Sequence, residues 1–149
     1  MKTRLVEAPF SETFIAQFVA LSERIFQQSA DRAWLDRLQW RLEKMPDVTI
    51  FVAEVDSEWI AYKAGYATHF NRYYSWLGGV APSLRGKKIG KALMDQQHNW
   101  LQSSRFKSVE THVAQDNEAM VRLNLKSGLS IVGMFSKDGE PNFIMKKTF

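Results

Sequence analysis

The chain of 149 residues contains no cysteine. That excludes disulfide cross-links, thiolate metal sites and a cysteine nucleophile. Only three histidines are present, His69, His98 and His112, and their scatter makes no ligand pattern, so no metal is expected. No run of about 18 apolar residues occurs, which excludes a membrane-spanning helix of the usual length. Residues 1–10 lack the apolar core and small-residue cleavage site of a signal peptide. With these features missing, the cytoplasm is the expected compartment and no membrane partner is expected. Repeats, low-complexity tracts and linkers are also absent, so one domain over residues 1–149 is expected, large enough to bury a core without cross-links.

Charge of either sign is modest. The net charge of +4 permits an anionic partner but is too mild to argue for nucleic acid. The excess is local, because Arg85, Lys87, Lys88 and Lys91 fall within seven residues. There is no second basic stripe and no reader motif, so no nucleic-acid partner is expected. A small polyanion suits this distribution better than a duplex does.

What is present is clear periodicity. Residues 2–8 read as a short strand stopped by Pro9. Ser11 reads as an N-cap, and Phe14, Ile15, Phe18, Val19, Leu21, Ile25 and Phe26 recur at helical spacing. A second helix begins at Ser29 or Asp31, carries Trp34, Leu35, Leu38, Leu42 and Met45 on one stripe, and ends at Pro46. Then the period changes. Three β-rich runs follow (48–55, 59–68 and 73–80), joined by tight turns as in an antiparallel meander. Gly78 and Gly79 in the third run predict a bulge or a close backbone approach. Next come a helix to about Ser104, a strand over 107–114, a helix from Asp116 or Asn117 to Ser127, a strand over 130–135, a turn over 137–142 and a strand over 143–149. The order β-α-α-β-β-β-α-β-α-β-β implies an α/β domain built on one mixed sheet.

The stretch V-A-P-S-L-R-G-K-K-I-G-K (80–91) couples a strand end to a basic, glycine-containing loop and a helix start. Helix N-termini expose unpaired N–H groups and a partial positive charge, and glycine allows close approach, so the stretch predicts a phosphate-bearing ligand. A charge run is more often a solvated face; here the glycines and the V-x-P lead argue for the site.

In this setting the sequence resembles the GCN5-related N-acetyltransferase (GNAT) superfamily. The pattern [Q/R]-x-x-G-x-[G/A] after V-x-P corresponds to Val80, Pro82, Arg85, Lys88 and Gly90, with Lys88 standing where the family has its central glycine. A second pattern, N-x-x-A-[I/V]-x-L-Y-x-K-x-G-[F/L], corresponds to Asn117, Val121, Leu123, Lys126, Gly128 and Leu129, with Met120 in place of alanine. A weaker match runs from 52–56 to 64–67. Both principal patterns in register cover nearly the whole chain with the element order.

The resemblance implies a splayed central sheet and acetyl-CoA as acetyl donor. Its pyrophosphate would be held by Arg85, Gly86, Lys87, Lys88, Ile89, Gly90 and Lys91, and its pantetheine arm by Asn117. Backbone N–H groups at Gly78, Gly79 and Val80 would polarise the thioester carbonyl. It further implies direct transfer to a primary amine of a small molecule or peptide, and a homodimer as one assembly. Many members protonate the leaving thiolate with a tyrosine where this chain has Asn124; an amide cannot donate a proton as a general acid, though it can hydrogen-bond sulfur. His112 aligns with a strand position that carries a glutamate base in members resembling ribosomal-protein N-terminal acetyltransferases, and imidazole suits that role. Tyr66, Tyr73, Tyr74 and Glu54 are further candidates to face the acceptor. The acceptor would lie between residues 27–31 and 137–142, where Asp31, Asp138 and Glu140 against Lys137 give a mild acidic bias. A non-catalytic acyl-CoA-binding or regulatory module on the same fold is the alternative, motivated by Asn124 and Lys88.

Overall fold

The computed structural model describes residues 1–149. The elements are β1 (Lys2–Glu7), α1 (Glu12–Phe26), α2 (Arg32–Lys44), β2 (Thr49–Val55), β3 (Glu58–His69), β4 (Arg72–Val80), α3 (Ile89–Gln102), β5 (Ser108–Ala114), α4 (Glu118–Lys126), β6 (Ser130–Lys137) and β7 (Glu140–Thr148), with one 3₁₀ turn at Pro82–Leu84. This is the order the periodicity predicts. The seven strands form one sheet in the order β1-β2-β3-β4-β5-β7-β6. Its pairings are antiparallel except that between β4 and β5. No helix is long and apolar enough to cross a membrane.

Residues 48–53 are buried because β2 is covered on both faces. Ile50 and Val52 join Phe14, Phe18, Leu21, Ile25, Leu38 and Leu42 beneath α1 and α2, while Phe51 and Ala53 join Ile89 and Leu93 beneath α3. A strand sandwiched in this way reads as a continuous apolar run rather than as an alternation. Phe18 stacks on Tyr62 with ring centres 4.3 Å apart. Ser22 donates to the carbonyl of Phe18 at 2.7 Å and takes the Tyr62 hydroxyl at 2.8 Å. Burial of such an aromatic side chain contributes about 2–3 kcal/mol, and this hydroxyl chain leaves no unpaired polar atom at its tip.

Local chemistry sets the helix boundaries. Ser11, Asp31 and Asn117 cap α1, α2 and α4 by accepting from the backbone N–H groups of Phe14, Trp34 and Met120, and each such cap contributes about 1 kcal/mol. Two features differ from expectation. The expected six-residue turn over 137–142 is a two-residue turn at Asp138 and Gly139, both with positive φ, and Pro141 lies inside β7 opposite Ser136. Asp-Gly is the natural sequence for a tight hairpin, and a strand admits proline where no ladder N–H is needed. The bulge expected at Gly78 and Gly79 lies earlier. β3 skips from Ala64↔Leu77 to Gly65↔Ser75, so Trp76 is the extra residue.

The close approach expected at the two glycines is present. A Cβ on Gly79 would lie 2.4 Å from Ile25 Cγ2 on α1, and one on Gly78 would lie 3.0 Å from the carbonyl oxygen of Tyr62. Gly79→Ala is therefore expected to cost about 1–3 kcal/mol by overpacking. In an Ile25→Leu background, which lacks Cγ2, part of that cost should vanish; a double-mutant cycle in urea checks this, and strict additivity would contradict the contact.

His98 on α3 is 6% exposed and packs edge-on to Phe149. Burial, then the nearby Lys147 and Lys63 ammoniums, hold its pKa down at about 4. The unfolded chain takes up this proton near pH 6.5 and the folded chain does not, so stability falls as pH drops from about 7 to about 5, by about 2 kcal/mol from this group. His98→Leu should flatten that limb of a denaturation-against-pH curve.

Candidate active site

The site begins where β4 and β5 part. Their parallel ladder runs from Arg72↔Ser108 to Ser75↔Thr111 and then stops. At its last rung the Thr111 hydroxyl donates to the Ser75 carbonyl at 2.9 Å. Beyond this rung β4 continues to Val80 paired only with β3, and β5 continues to Ala114 paired only with β7. The facing edges of residues 76–80 and 112–114 are thus without strand partners, which leaves backbone donors and acceptors available to a ligand. This is the splay the resemblance implies.

The basic loop lies at the end of the parted β4. Gly86 has φ 79°. Lys88 has φ 63° and ψ 18°, and α3 starts there without any side-chain cap, unlike the other three α-helices. A lysine held in the left-handed region, which glycine adopts freely, costs about 1–2 kcal/mol relative to ordinary backbone. Gly90 has room above it, with the nearest atoms to an added Cβ at 3.8 Å on Leu123 and Val80. Lys87 and Lys88 are exposed and Ile89 is buried. Lys91 is engaged with Asp95 one turn on.

Arg85 has a different setting from that expected of a phosphate ligand. Its Nε donates to the Val80 carbonyl at 3.2 Å and its Nη2 to the Ile25 carbonyl at 2.6 Å. The guanidinium therefore ties the loop to the C-terminal turn of α1, where the helix dipole favours a cation. Asn117 is likewise committed in part: its Oδ1 caps α4, and only its NH₂ remains for a ligand.

On the α2 face of the fork lies a cleft of about 560 Å³. The bulge builds part of it, because Trp76 and Leu77, though consecutive, both line it, together with Tyr74. His112 is the first β5 residue past the last rung. Its Nδ1 lies 3.3 Å from the Tyr74 hydroxyl and its Nε2 3.3 Å from a Glu110 carboxylate oxygen. Tyr74 and Glu110 are opposite one another in the ladder, which sets all three groups on one face. Burial, reinforced by Tyr66, pushes the Tyr74 pKa up to about 12, so the phenol stays protonated. In the tautomer that puts the imidazole hydrogen on Nε2, Nε2–H donates to the Glu110 carboxylate and Nδ1 accepts from the phenol. Such a chain can pass a proton from the cleft to the imidazole and stabilise the resulting charge.

Of the other candidate residues, Tyr66 is buried behind Tyr74, with ring centres 5.5 Å apart. Tyr73 lies in the core with its hydroxyl on Thr49, and Glu54 sits on β2 opposite Lys2. Asn124 is 1% exposed, with Nδ2 against Met145 Sδ at 3.5 Å, and does not line the cleft. His69 is on the surface beside Thr68. The acidic residues expected to gather from 27–31 and 137–142 do not line this cleft. Asp31 is a helix cap, residues 27–31 do not line the cleft, and Asp138 and Glu140 lie in or beside the exposed hairpin turn. Lys137 and Asn142 do line it, joined by Trp34, Arg37, Leu38 and Arg41 of α2. Sequence reasoning missed Glu110 and this α2 wall. The i, i+4 spacing of Arg37 and Arg41 was visible, but not what it faces.

A family model described as the acetyltransferase (GNAT) family matches residues 15–129. No curated protein sequence matches the chain. Among solved structures, the ribosomal-protein-S18-alanine N-acetyltransferase from Escherichia coli is similar with a TM-score of 0.77 at 14% identity, over 97% of this chain and 94% of that one. The PaiA N-acetyltransferase from Thermoplasma acidophilum, in complex with coenzyme A, is similar with a TM-score of 0.72 at 15% identity, over 98% and 99%. Arabidopsis thaliana NAA60, in complex with a bisubstrate analogue, gives 0.70 at 14% identity, over 97% and 98%. At such identities these structures speak for the fold. The match over residues 15–129, on a sheet parted between β4 and β5, means that this chain belongs to the GNAT family of acetyltransferases.

Proposed function

We propose that this protein moves an acetyl group from acetyl-CoA directly to a primary amine within a ternary complex. The observation that carries the reading is the fork itself: an uncapped helix start lies at the end of the parted β4, and a proton-accepting chain faces the cleft just past the last rung. The pyrophosphate would lie on the N–H groups of residues 86–90, with the ammoniums of Lys87 and Lys88 adding charge and Lys91 close by. Arg85 acts on this site as a positioning residue, through the carbonyls of Val80 and Ile25. The pantetheine arm would run along the open edge of β4 at Gly79 and Val80 and reach the Asn117 amide.

In the transfer step the amine nitrogen attacks the thioester carbonyl. A C–N bond forms, the C–S bond breaks, and the thiolate leaves with a proton taken up from water. The N–H groups of the parted β4 would stabilise the oxyanion. The amine proton passes to Tyr74 as Tyr74 gives its own to His112 Nδ1, and Glu110 steadies the imidazolium. Holding both substrates in the fork supplies much of the rate.

Isothermal titration is expected to show acetyl-CoA binding at sub-millimolar ligand. Gly90→Trp, by filling the cradle, and Arg85→Glu, by releasing the loop, should each weaken it at least tenfold, about 1.4 kcal/mol. Unchanged affinity in folded variants would reject this phosphate site. Binding without turnover across an amine panel would favour a non-catalytic module, a reading that the burial of Asn124 supports.

His112→Ala should lower kcat/KM by about 10²–10⁴-fold and change the shape of the pH–rate profile. A profile that keeps its shape removes His112 as the base.

A further inference from the structure

The cleft proposed to take the acceptor is cationic. Arg37 and Arg41, one turn apart on α2, line it with Lys137 at the end of β6, and no aspartate or glutamate lines it. The ion pairs of the chain engage Arg24, Arg32, Lys91, Arg105, His112 and Arg122, so none of the three cleft cations has a carboxylate within 4.0 Å. Arg41 is half-buried, and its guanidinium carbon lies 5.2 Å from the Trp76 ring centre. Stacking of this kind orients the planar fork along the wall. The bulge that turns Trp76 into the cleft therefore also positions Arg41.

Three cations without partners around an amine site work against a polycationic acceptor, because like charges at close range cost energy and slow encounter. They suit a molecule that brings its own negative charge. We propose that the acceptor carries a carboxylate as well as its amine, and that Arg37, Arg41 and Lys137 hold this carboxylate while the amine faces Tyr74 and His112. The inference rests on the reading that this cleft takes an amine for acetylation. Arginine's fork matches a carboxylate with two parallel hydrogen bonds, and Lys137 adds a point charge from the opposite wall. Glu110 lies on the β5 side against His112, and the carboxylate nearest the arginine pair on α2, Asp36, is paired with Arg32, so an amino-carboxylate finds opposite charges on α2 and on β5. Polyamines and aminoglycosides, cationic throughout, do not fit this arrangement. The required chemistry comes equally from a free amino acid and from an acidic residue at the start of a peptide.

Matched pairs test this. With coenzyme A present, the protein is titrated calorimetrically with phenylalanine and leucine, each against its α-amide, and with a C-terminally amidated tripeptide beginning in glutamate against its glutamine counterpart. The member that carries the carboxylate should bind at least tenfold more tightly in at least one pair; which pair shows this separates the free amino acid from the peptide. The double variant Arg37→Gln with Arg41→Gln, once shown to be folded, should lose that preference while its acetyl-CoA affinity is unchanged. Equal binding of both members in every pair, or a preference that survives in the double variant, overturns the proposal. Turnover of the same pairs with acetyl-CoA separates the two readings. A carboxylate preference in binding without turnover leaves the anion site and removes the transferase; turnover that ignores the carboxylate does the reverse.

Discussion

β4 and β5 run side by side for four residues and then separate, and the Thr111 hydroxyl on the Ser75 carbonyl marks the point at which they do. Interior strands rarely leave a polar edge open, because an unpaired N–H or C=O in a buried setting costs energy comparable to a lost hydrogen bond. Here the edge is kept apart by what flanks it. The extra residue Trp76 bends β4 on one side, and β5 is held to β7 along its whole length, from Ser108↔Thr148 to Ala114↔Asn142. Much else in the molecule either maintains this opening or uses it.

The opening is shaped by packing as much as by polar chemistry. Gly79 lets Ile25 of α1 press against β4, and Gly78 lets the backbone of β3 do the same. Arg85 then fastens the basic loop to the end of that same helix. A cation that sequence alone assigns to phosphate is thus spent in part on structure, and the loop owes its position to α1, some sixty residues earlier. Two groups of basic side chains flank the opening: Lys87 and Lys88 in the loop before α3, and Arg37, Arg41 and Lys137 along the cleft.

Much of the fold is legible in the sequence. Caps, turn residues and hydrophobic period are local properties, and Ser11, Asp31, Asn117 and the apolar run at 48–53 announce their elements without help from distant residues. The hairpin at Asp138 and Gly139 was legible too, but Pro141 masks it, since proline reads as loop until the register shows that its missing N–H is not needed. Of the candidate site, the basic loop could be found because its spacing depends only on neighbours along the chain, while Asn117 and His112 were named through the resemblance to the family.

The sequence by itself determined the order of elements and the basic, glycine-containing helix start, and its resemblance to the family made His112 a candidate. Tertiary structure alone decided that Trp76 rather than the glycines is the bulge, that Glu110 and Tyr74 flank His112, and that Asn124 faces Met145 instead of the cleft. It also decided that Arg37, Arg41 and Lys137 line one cleft. The physical reason is the same in each case. A secondary-structure element follows from interactions within a few residues, whereas a site is assembled by strand register and helix packing between residues tens of positions apart, and neither leaves a mark in local spacing.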